Sequence, residues 1–473
     1  MPTLTFSHWL SIHGLITLGG LLVYVVTSHV LHQRRHPSAA IGWVLFILLL
    51  PYAALPLYLL VGTRKLVRSS RSQAATVRSH QENTWPSEVA ATLGQPHPAR
   101  YQALRIHADG SQALQALLEI IDGAQHTLDV CTFILGRDAI GAAVVAHLAA
   151  RARAGVRVRL LLDGVGRIIS GWSDVSELRC AGGQIGLFMP LLHSLLKGRA
   201  NLRIHRKLAL SDAGHQVERM WCGGRNLAAD YFEGRPGHAG WRDLSFDLQG
   251  PLVQQAAAVF EHDWALTVDA GVSAPKVLPF AVTAPHTGVE PLAASPPAAQ
   301  IVASGPDQAD DTVYALLISA AYRANTRMAI VSPYVVLDDA LLMALCMVAR
   351  RGVQVDLLLP ARSNHRLADI ARHRSLRMLA SAGVHIWLAP HMLHAKMAVI
   401  DNVLALAGST NLDGRSLFLN YELMVAFLDA SDIARFTAWF DLELGTARSY
   451  VAKPPGLLRD FGEGLILWIA FQL

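Results

Sequence analysis

Two stretches of the chain, "IHRKLALSD" at 204–212 and "LHAKMAVID" at 393–401, each set a lysine two residues after a histidine and close on an aspartate. Side chains in a strand alternate faces, so His205 shares a face with Lys207, and His394 with Lys396. The chain has only six lysines and two of them sit here, which marks the repeat as a signal rather than an accident of composition. Neutral imidazole is a nucleophile, and its protonated twin, with an ordinary pKa of about 6.5, is an acid. Exchange at a phosphodiester needs one of each, with positive groups for the nonbridging oxygens.

Each stretch is trailed by a small-residue turn ending in an amide, "CGGRN" at 222–226 and "AGSTN" at 407–411. Tight glycine turns let backbone approach a ligand, and an asparagine amide donates to an oxyanion. A later acid follows in each half, Asp243 in "WRDLSFDLQG" and Glu422 in "FLNYELM". The candidate site is therefore His205, Lys207, Asp212, His394, Lys396 and Asp401, supported by Asn226, Asn411, Asp243, Glu422 and Ser409. Lys207, Lys396, Asn226 and Asn411 would clamp phosphoryl oxygens without a metal or other cofactor. Asp212 and Asp401 suit strand ends better than proton transfer. A salt bridge to Arg242 or Arg415 would explain Asp243 and Glu422 equally well.

Elements that position these residues recur with the same spacing. "TLDVCTFILGRDAIGAAVVAHLAARARAGVRVRLLLDGVG" (127–166) reads as strand, loop, helix and strand, and "RMAIVSPYVVLDDALLMALCMVARRGVQVDLLLP" (327–360) repeats that order, with Phe133 matched to Tyr334 and Gly155 to Gly352. A duplicated βαβ unit predicts an α/β fold of two domains with mixed, mostly parallel sheets flanked by helices. The expected boundaries are 100–270 and 301–450, with linkers at 63–99 and at the Pro/Ala-rich 271–300, and an apolar tail at 451–473. That tail is too short to span a bilayer and suits an interfacial or core-docked segment.

Of 473 residues, 52% are hydrophobic and 16% charged, a balance that favours membrane contact. The excess is local. Trp9–Leu31 and Ile41–Val61 carry no Lys, Arg, Asp or Glu, and the polar turn between them predicts a transmembrane hairpin (1–62) whose second helix is kinked at Pro51 and Pro56. A cleaved signal peptide fits less well, because no basic region precedes the first run and a second run follows at once. Arg64, Lys65, Arg68 and Arg71 outweigh Arg34 and Arg35, which places both termini in the cytoplasm. The four cysteines show no metal-binding spacing and read as core residues in a reducing compartment. A net charge of +5 suits an anionic membrane and nucleic acid alike.

These residues resemble the double HKD motifs of the phospholipase D superfamily, and more closely the bacterial cardiolipin synthases, through the amino-terminal hairpin, "GWRDL", "SGP" (304–306), "SPY" (332–334) and "GSTNLDGRSLFLNYE" (408–422). The resemblance covers essentially the whole chain. It implies duplicated phospholipase D-like domains, His205 as nucleophile, His394 as acid, and Asp243 and Glu422 orienting the imidazoles. It also implies a bacterial inner-membrane enzyme with its catalytic domains in the cytoplasm, joining two phosphatidylglycerols into cardiolipin and glycerol through a phosphatidyl-histidine. Phosphatidylethanolamine is a possible second substrate, and no nucleic acid is expected. The rivals are a phospholipase D-type hydrolase or nuclease using the same site, and an inactive membrane scaffold. Ile204 stands where the family usually has Asn, eleven positions separate Asp212 from Gly223 against seven from Asp401 to Gly408, and "SPYVVLDD" lacks a proline after its tyrosine.

Overall fold

The computed structural model describes residues 6–30, 37–61, 85–107, 109–171, 173–190, 201–235, 237–267, 297–308 and 310–470. Most of both expected linkers, residues 31–36 with the first part of the expected polar turn (32–40), and residues 471–473 lie outside these.

Each half forms a sheet around seven strands. The first half contributes β1 Gln102–His107, β2 Thr127–Thr132, β3 Arg157–Asp163, β4 Gln184–Phe188, β5 Leu208–Ser211, β6 Arg219–Gly223 and β7 Ser245–Gln249. The second contributes β8 Ala298–Ser304, β9 Arg327–Val331, β10 Gln354–Pro360, β11 His385–Ala389, β12 Met397–Ile400, β13 Leu404–Gly408 and β14 Glu422–Phe427. Their spatial orders, β1-β7-β6-β5-β2-β3-β4 and β8-β14-β13-β12-β9-β10-β11, are the same order twice. Thr127 and Arg327 hold equivalent places, each giving its N–H to the aspartate that closes a motif. By that register Ile134, not Phe133, is the counterpart of Tyr334: Thr132 and Ser332 each donate a hydroxyl to the carbonyl two residues on.

The sheets are mixed, which corrects the expectation of mostly parallel ones. β2, β3 and β4 run parallel, as do β9, β10 and β11, because helices such as Ala139–Arg153 and Asp339–Arg350 carry the chain back between them. The other pairs among these strands are antiparallel. The histidine and lysine of each motif lie just before their strand, not in it as expected, and each of these strands, β5 and β12, passes to its successor through a turn too short for a crossover, so antiparallel pairing is forced.

One apolar cluster joins the halves. It holds Leu208, Cys222 and Phe246 from the first sheet, Met397, Val425 and Phe427 from the second, and the inward faces of helices Leu252–Ala265 and Ala430–Leu444. Phe246 meets Phe427 edge to face at 5.2 Å. Such a pair adds about 0.5–1.5 kcal/mol to the burial of its area. The outer face of each sheet carries its own cluster and its own helices. Cys131, Cys222 and Cys346 are buried and Cys180 is exposed, all four unpaired.

Two further segments depart from expectation, and a third takes a defined place. Helix Trp85–Thr92 lies within the expected linker, with Trp85 in the outer core of the second half and the Arg323 guanidinium 5.6 Å from its ring. β8 begins at Ala298, inside the second linker, and Ala99–Arg100 pairs beside it. The tail forms helix Leu457–Ala470, docked on helix Arg366–Ser381 through Arg377–Glu463 at 2.7 Å.

The amino-terminal apolar runs fold as helices Phe6–Val30, Pro37–Leu49 and Pro51–Val61. The second run is thus two helices rather than one kinked helix. Pro51 opens the last of them at its first position, where a missing N–H costs nothing, and Pro56 lies inside it. Tyr24, Ile47, Ala54 and Tyr58 pack between the helices, and Thr27 Oγ1 lies 2.6 Å from Tyr58 OH. Leu15, Leu22 and Leu49 point outward, at least 64% exposed. Among the described residues no helix is long and apolar enough to cross a membrane.

Candidate active site

The motif aspartates explain how the strands are set. Asp212 and Asp401 end β5 and β12 in the left-handed region, φ 52° and 50°, a conformation aspartate tolerates better than most residues. From there the Asp212 carboxylate accepts the N–H groups of Gln125, His126 and Thr127 at 2.6–2.9 Å. Asp401 accepts those of Asn325, Thr326 and Arg327 at 2.9–3.0 Å. Both therefore lie at the far ends of their strands and belong to the scaffold. Of the six motif residues, these two are not brought to the site.

The other four meet, in a cross-over arrangement. His205 Nδ1 lies 2.9 Å from Glu422 Oε1, across 217 residues, and His394 Nδ1 lies 2.7 Å from Asp243 Oδ2, across 151. Each imidazole is thus held by the acid of the opposite half. The backbone dictates the exchange. His205 N–H donates to Tyr421 O and Tyr421 N–H to Arg203 O, while His394 N–H donates to Arg242 O and Arg242 N–H to Met392 O. Each histidine strand is stitched to the residue just before the other half's acid. The alternative partners for the acids are engaged elsewhere: Arg242 pairs with Glu443, and Arg415 donates to Asn201. Within each half, Gly223 and Gly408 let the strand end lie close against the segment that carries the acid, since a Cβ would stand 2.4 Å from Leu244 O and 2.2 Å from Leu423 O respectively.

Glu422 also accepts from Ser409 Oγ at 2.5 Å and Asn420 Nδ2 at 3.3 Å. Each lysine donates to the main-chain oxygen of its own histidine, Lys207 Nζ to His205 O at 2.5 Å and Lys396 Nζ to His394 O, and Lys396 Nζ also stands 2.8 and 3.0 Å from the two ring nitrogens of His394. Asn226 Oδ1 accepts from Ile134 N–H at 3.3 Å and its amide also bonds the Tyr231 hydroxyl; Asn411 Nδ2 donates to Ser416 Oγ at 3.1 Å. In place of the hydrogen bond expected to be missing at Ile204, its main-chain N–H donates to Asp163 at 3.0 Å and its side chain enters the core.

Burial sets the charge states. It pushes His205 down to about 4, against the pull of Glu422, and His394 down to about 3, helped by the Lys396 ammonium and opposed by Asp243. Burial also lowers Lys207 to about 8 and Lys396 to about 7. Burial alone would raise Asp243, but His394 and Lys396 outweigh it and hold the carboxyl at about 2; His205 and Lys207 likewise keep Glu422 low. At neutral pH both imidazoles are uncharged, each giving Nδ1–H to a carboxylate and leaving Nε2 with a lone pair.

Several neighbours escaped the sequence reading. Arg206, between the catalytic pair, is buried on Asp263 and donates Nε–H to Glu422 O at 3.0 Å; its counterpart is Ala395. Tyr231 and Trp241 stand 5.1 and 5.5 Å from the His394 ring, with Tyr334 at 6.2 Å, whereas His205 faces Phe133 at 5.5 Å. Trp241 left a signal as a member of "GWRDL", and Tyr334 as a member of "SPY" and of the repeat that aligned it with Phe133; Arg206 and Tyr231 left none. Among the described residues no cluster of His, Cys, Asp or Glu is arranged to hold a metal.

Residues 117–264 and 317–443, more than half of the chain, match the family described as "Cardiolipin synthase, PLD-like domain". The chain belongs to that family. Residues 20–62 match a second description, "Phospholipase_D-nuclease N-terminal". Cardiolipin synthase A of Shigella boydii serotype 4 and that of Escherichia coli O1:K1 / APEC are each 29% identical to the chain over 463 residues, covering 90% of it and 89% of the relative. Among solved structures, the phosphatidylserine synthase of Haemophilus influenzae Rd KW20 superposes with a TM-score of 0.59 at 10% identity, over 82% of this chain and all of that one, a likeness of fold. The family's boundaries put both histidines and both acids within the matched residues.

Proposed function

We propose that the chain is a phosphatidyltransferase that makes cardiolipin and glycerol from two phosphatidylglycerols, held at the inner membrane by its amino-terminal helices with the catalytic halves in the cytoplasm. The observation that carries this reading is the crossed pairing of His205 with Glu422 and His394 with Asp243, which makes one composite site from two half-sites. His205, the more accessible ring, attacks phosphorus through Nε2. The bond to the first glycerol breaks, and His394 delivers a proton to the departing oxygen. Lys396, in contact with the His394 ring, is placed to supply that proton, and the approaching phosphate raises the proton affinity of both groups. Lys207 touches only main chain near His205, which suits a nucleophile that must stay unprotonated. Lys207, Lys396 and the Asn226 amide neutralise the phosphoryl oxygens. In the second step the glycerol head of another phosphatidylglycerol gives its proton to His394 and attacks the phosphatidyl-histidine, releasing His205.

The anchoring is supported by the inverted distribution of the amino-terminal helices, apolar outside and tyrosine–threonine bonded inside, as small polar contacts join helices in lipid. Lipid mass spectrometry on the purified chain in phosphatidylglycerol liposomes tests the reaction. Cardiolipin with an equal yield of glycerol is the expected product. Phosphatidic acid alone would make the enzyme a hydrolase and overturn the proposal.

A further inference from the structure

Both halves border the site with the same kind of surface. In the first half, helix Gly164–Ile169 follows β3 and presses on the segment whose ring faces His205: a Cβ on Gly166 would stand 1.8 Å from Phe133 O. Its last two residues, Ile168 and Ile169, are 43% and 63% exposed. In the second half, helix Arg366–Ser381 follows β10, the counterpart of β3. His365 at its head meets Tyr334 edge to face at 5.1 Å, and Tyr334 donates its hydroxyl to Asn364 at 2.6 Å while lying against His394.

The outward stripe of that helix carries Leu367 (49% exposed) and Ile370 (36%), with Arg366 and Arg374 beside them. Asp369, one acid on the helix, is turned aside to Arg372 and the Ser363 N–H. Apolar side chains that no packing demands, interleaved with arginine, fit the interfacial layer of an anionic leaflet. Two such surfaces, related by the duplication and each resting on the ring beside a catalytic histidine, frame one cleft.

We propose that helices Gly164–Ile169 and Arg366–Ser381 form a rim that docks the cleft onto an anionic bilayer, with Ile168, Ile169, Leu367 and Ile370 entering the headgroup–acyl boundary. The rim would then hold the site at the depth where a lipid phosphate lies, and acceptor lipids would enter from the leaflet rather than from water. This surface is separate from the amino-terminal helices, and its catalytic consequence rests on the phosphatidyl-transfer reading.

The test uses the full chain in nanodiscs of phosphatidylglycerol, with an environment-sensitive dye on Ile370→Cys in a Cys180→Ser background. The control dye sits at Val217→Cys, which is 61% exposed on the turn beyond Asp212, at the opposite end of the first sheet. A lipid-borne quencher is expected to quench the Ile370 dye and spare the Val217 dye; equal quenching of the two overturns docking, whatever the enzyme does. Ile169→Glu combined with Ile370→Glu is expected to slow turnover of bilayer phosphatidylglycerol by about tenfold or more. Turnover of a monomeric short-chain analogue should be unchanged. An equal loss on both substrates would overturn the rim's role, and a wild-type chain inactive on both would overturn the transfer reading while leaving the quenching result to stand alone.

Discussion

Glu422 and His205 lie on opposite halves of a duplicated fold, yet the carboxylate meets His205 Nδ1 at 2.9 Å and fixes which nitrogen faces the cleft. Orientation and tautomer of a catalytic imidazole are set by the group on its other nitrogen. Glu422→Gln should therefore damage His205 chemistry, and Asp243→Asn should damage His394. Each is expected to lower kcat by roughly 10²-fold or more with little change in KM. Steady-state kinetics beside circular dichroism checks this, and an intact kcat in either variant would contradict the crossed pairing.

Acidity offers a second check. The free enzyme needs neutral imidazoles and charged lysines, so kcat/KM should be flat between limbs and fall at high pH as Lys396 (about 7) and Lys207 (about 8) lose their protons. On the acid side the fall should come near 4 and below, as His205 takes up a proton. Stability follows the same groups. Folded His205 and His394 titrate below the ordinary value of about 6.5, so the unfolded chain binds more protons as pH falls beneath it and the fold loses stability between about 6.5 and 4. Urea melts across pH 4–8 read this directly, and midpoints rising on acidification would contradict it.

Asp212 and Asp401 should behave as structural residues. Alanine at Asp212 strands three backbone donors, a loss of about 2–4 kcal/mol. Asp401 is held below its usual value, burial being outweighed by its bonds to Arg327 and Thr326. Its contribution is therefore present above the unfolded value and disappears as pH falls through the folded one. Activity per folded molecule should survive both substitutions at low temperature, where thermal melting shows the shift; a selective loss of kcat in a fully folded variant would return these acids to the chemistry.

Arg206 and Asp263 form a buried pair, each 1% exposed. Replacing either alone leaves a charge without its partner, and Arg206→Met is expected to destabilise by about 3–5 kcal/mol. Adding Asp263→Leu should restore most of that, because an apolar pair of similar volume removes the uncompensated charge. Denaturant titration of the two single variants and the double completes the cycle, and additive losses would contradict it.

Much of this was legible in the chain. The HxKxxxxD spacing located both strands and the repeat order gave two like domains, but each histidine and lysine lies just before its strand, β5 opening at Leu208 and β12 at Met397, rather than within it. What stayed hidden were contacts between distant segments. Which acid serves which histidine depends on the pairing of Arg203 with Tyr421 and of Arg242 with Met392, and no local pattern encodes that. Arg206 looked like any strand arginine, and Trp85 like a linker residue, because their partners Asp263 and Arg323 are remote. The sheets' antiparallel content was readable in the short turns after Asp212 and Asp401 but was overridden by the βαβ signal.

The most direct trial of the shared active centre is to quench the chain in base during turnover of phosphatidylglycerol, conditions that spare phosphorus–nitrogen bonds, and to locate the adduct by peptide mass spectrometry. A phosphatidyl group is expected on His205, accumulating when the acceptor is scarce and absent in His205→Ala. Cardiolipin formed at full rate with no adduct on either His205 or His394 would contradict it.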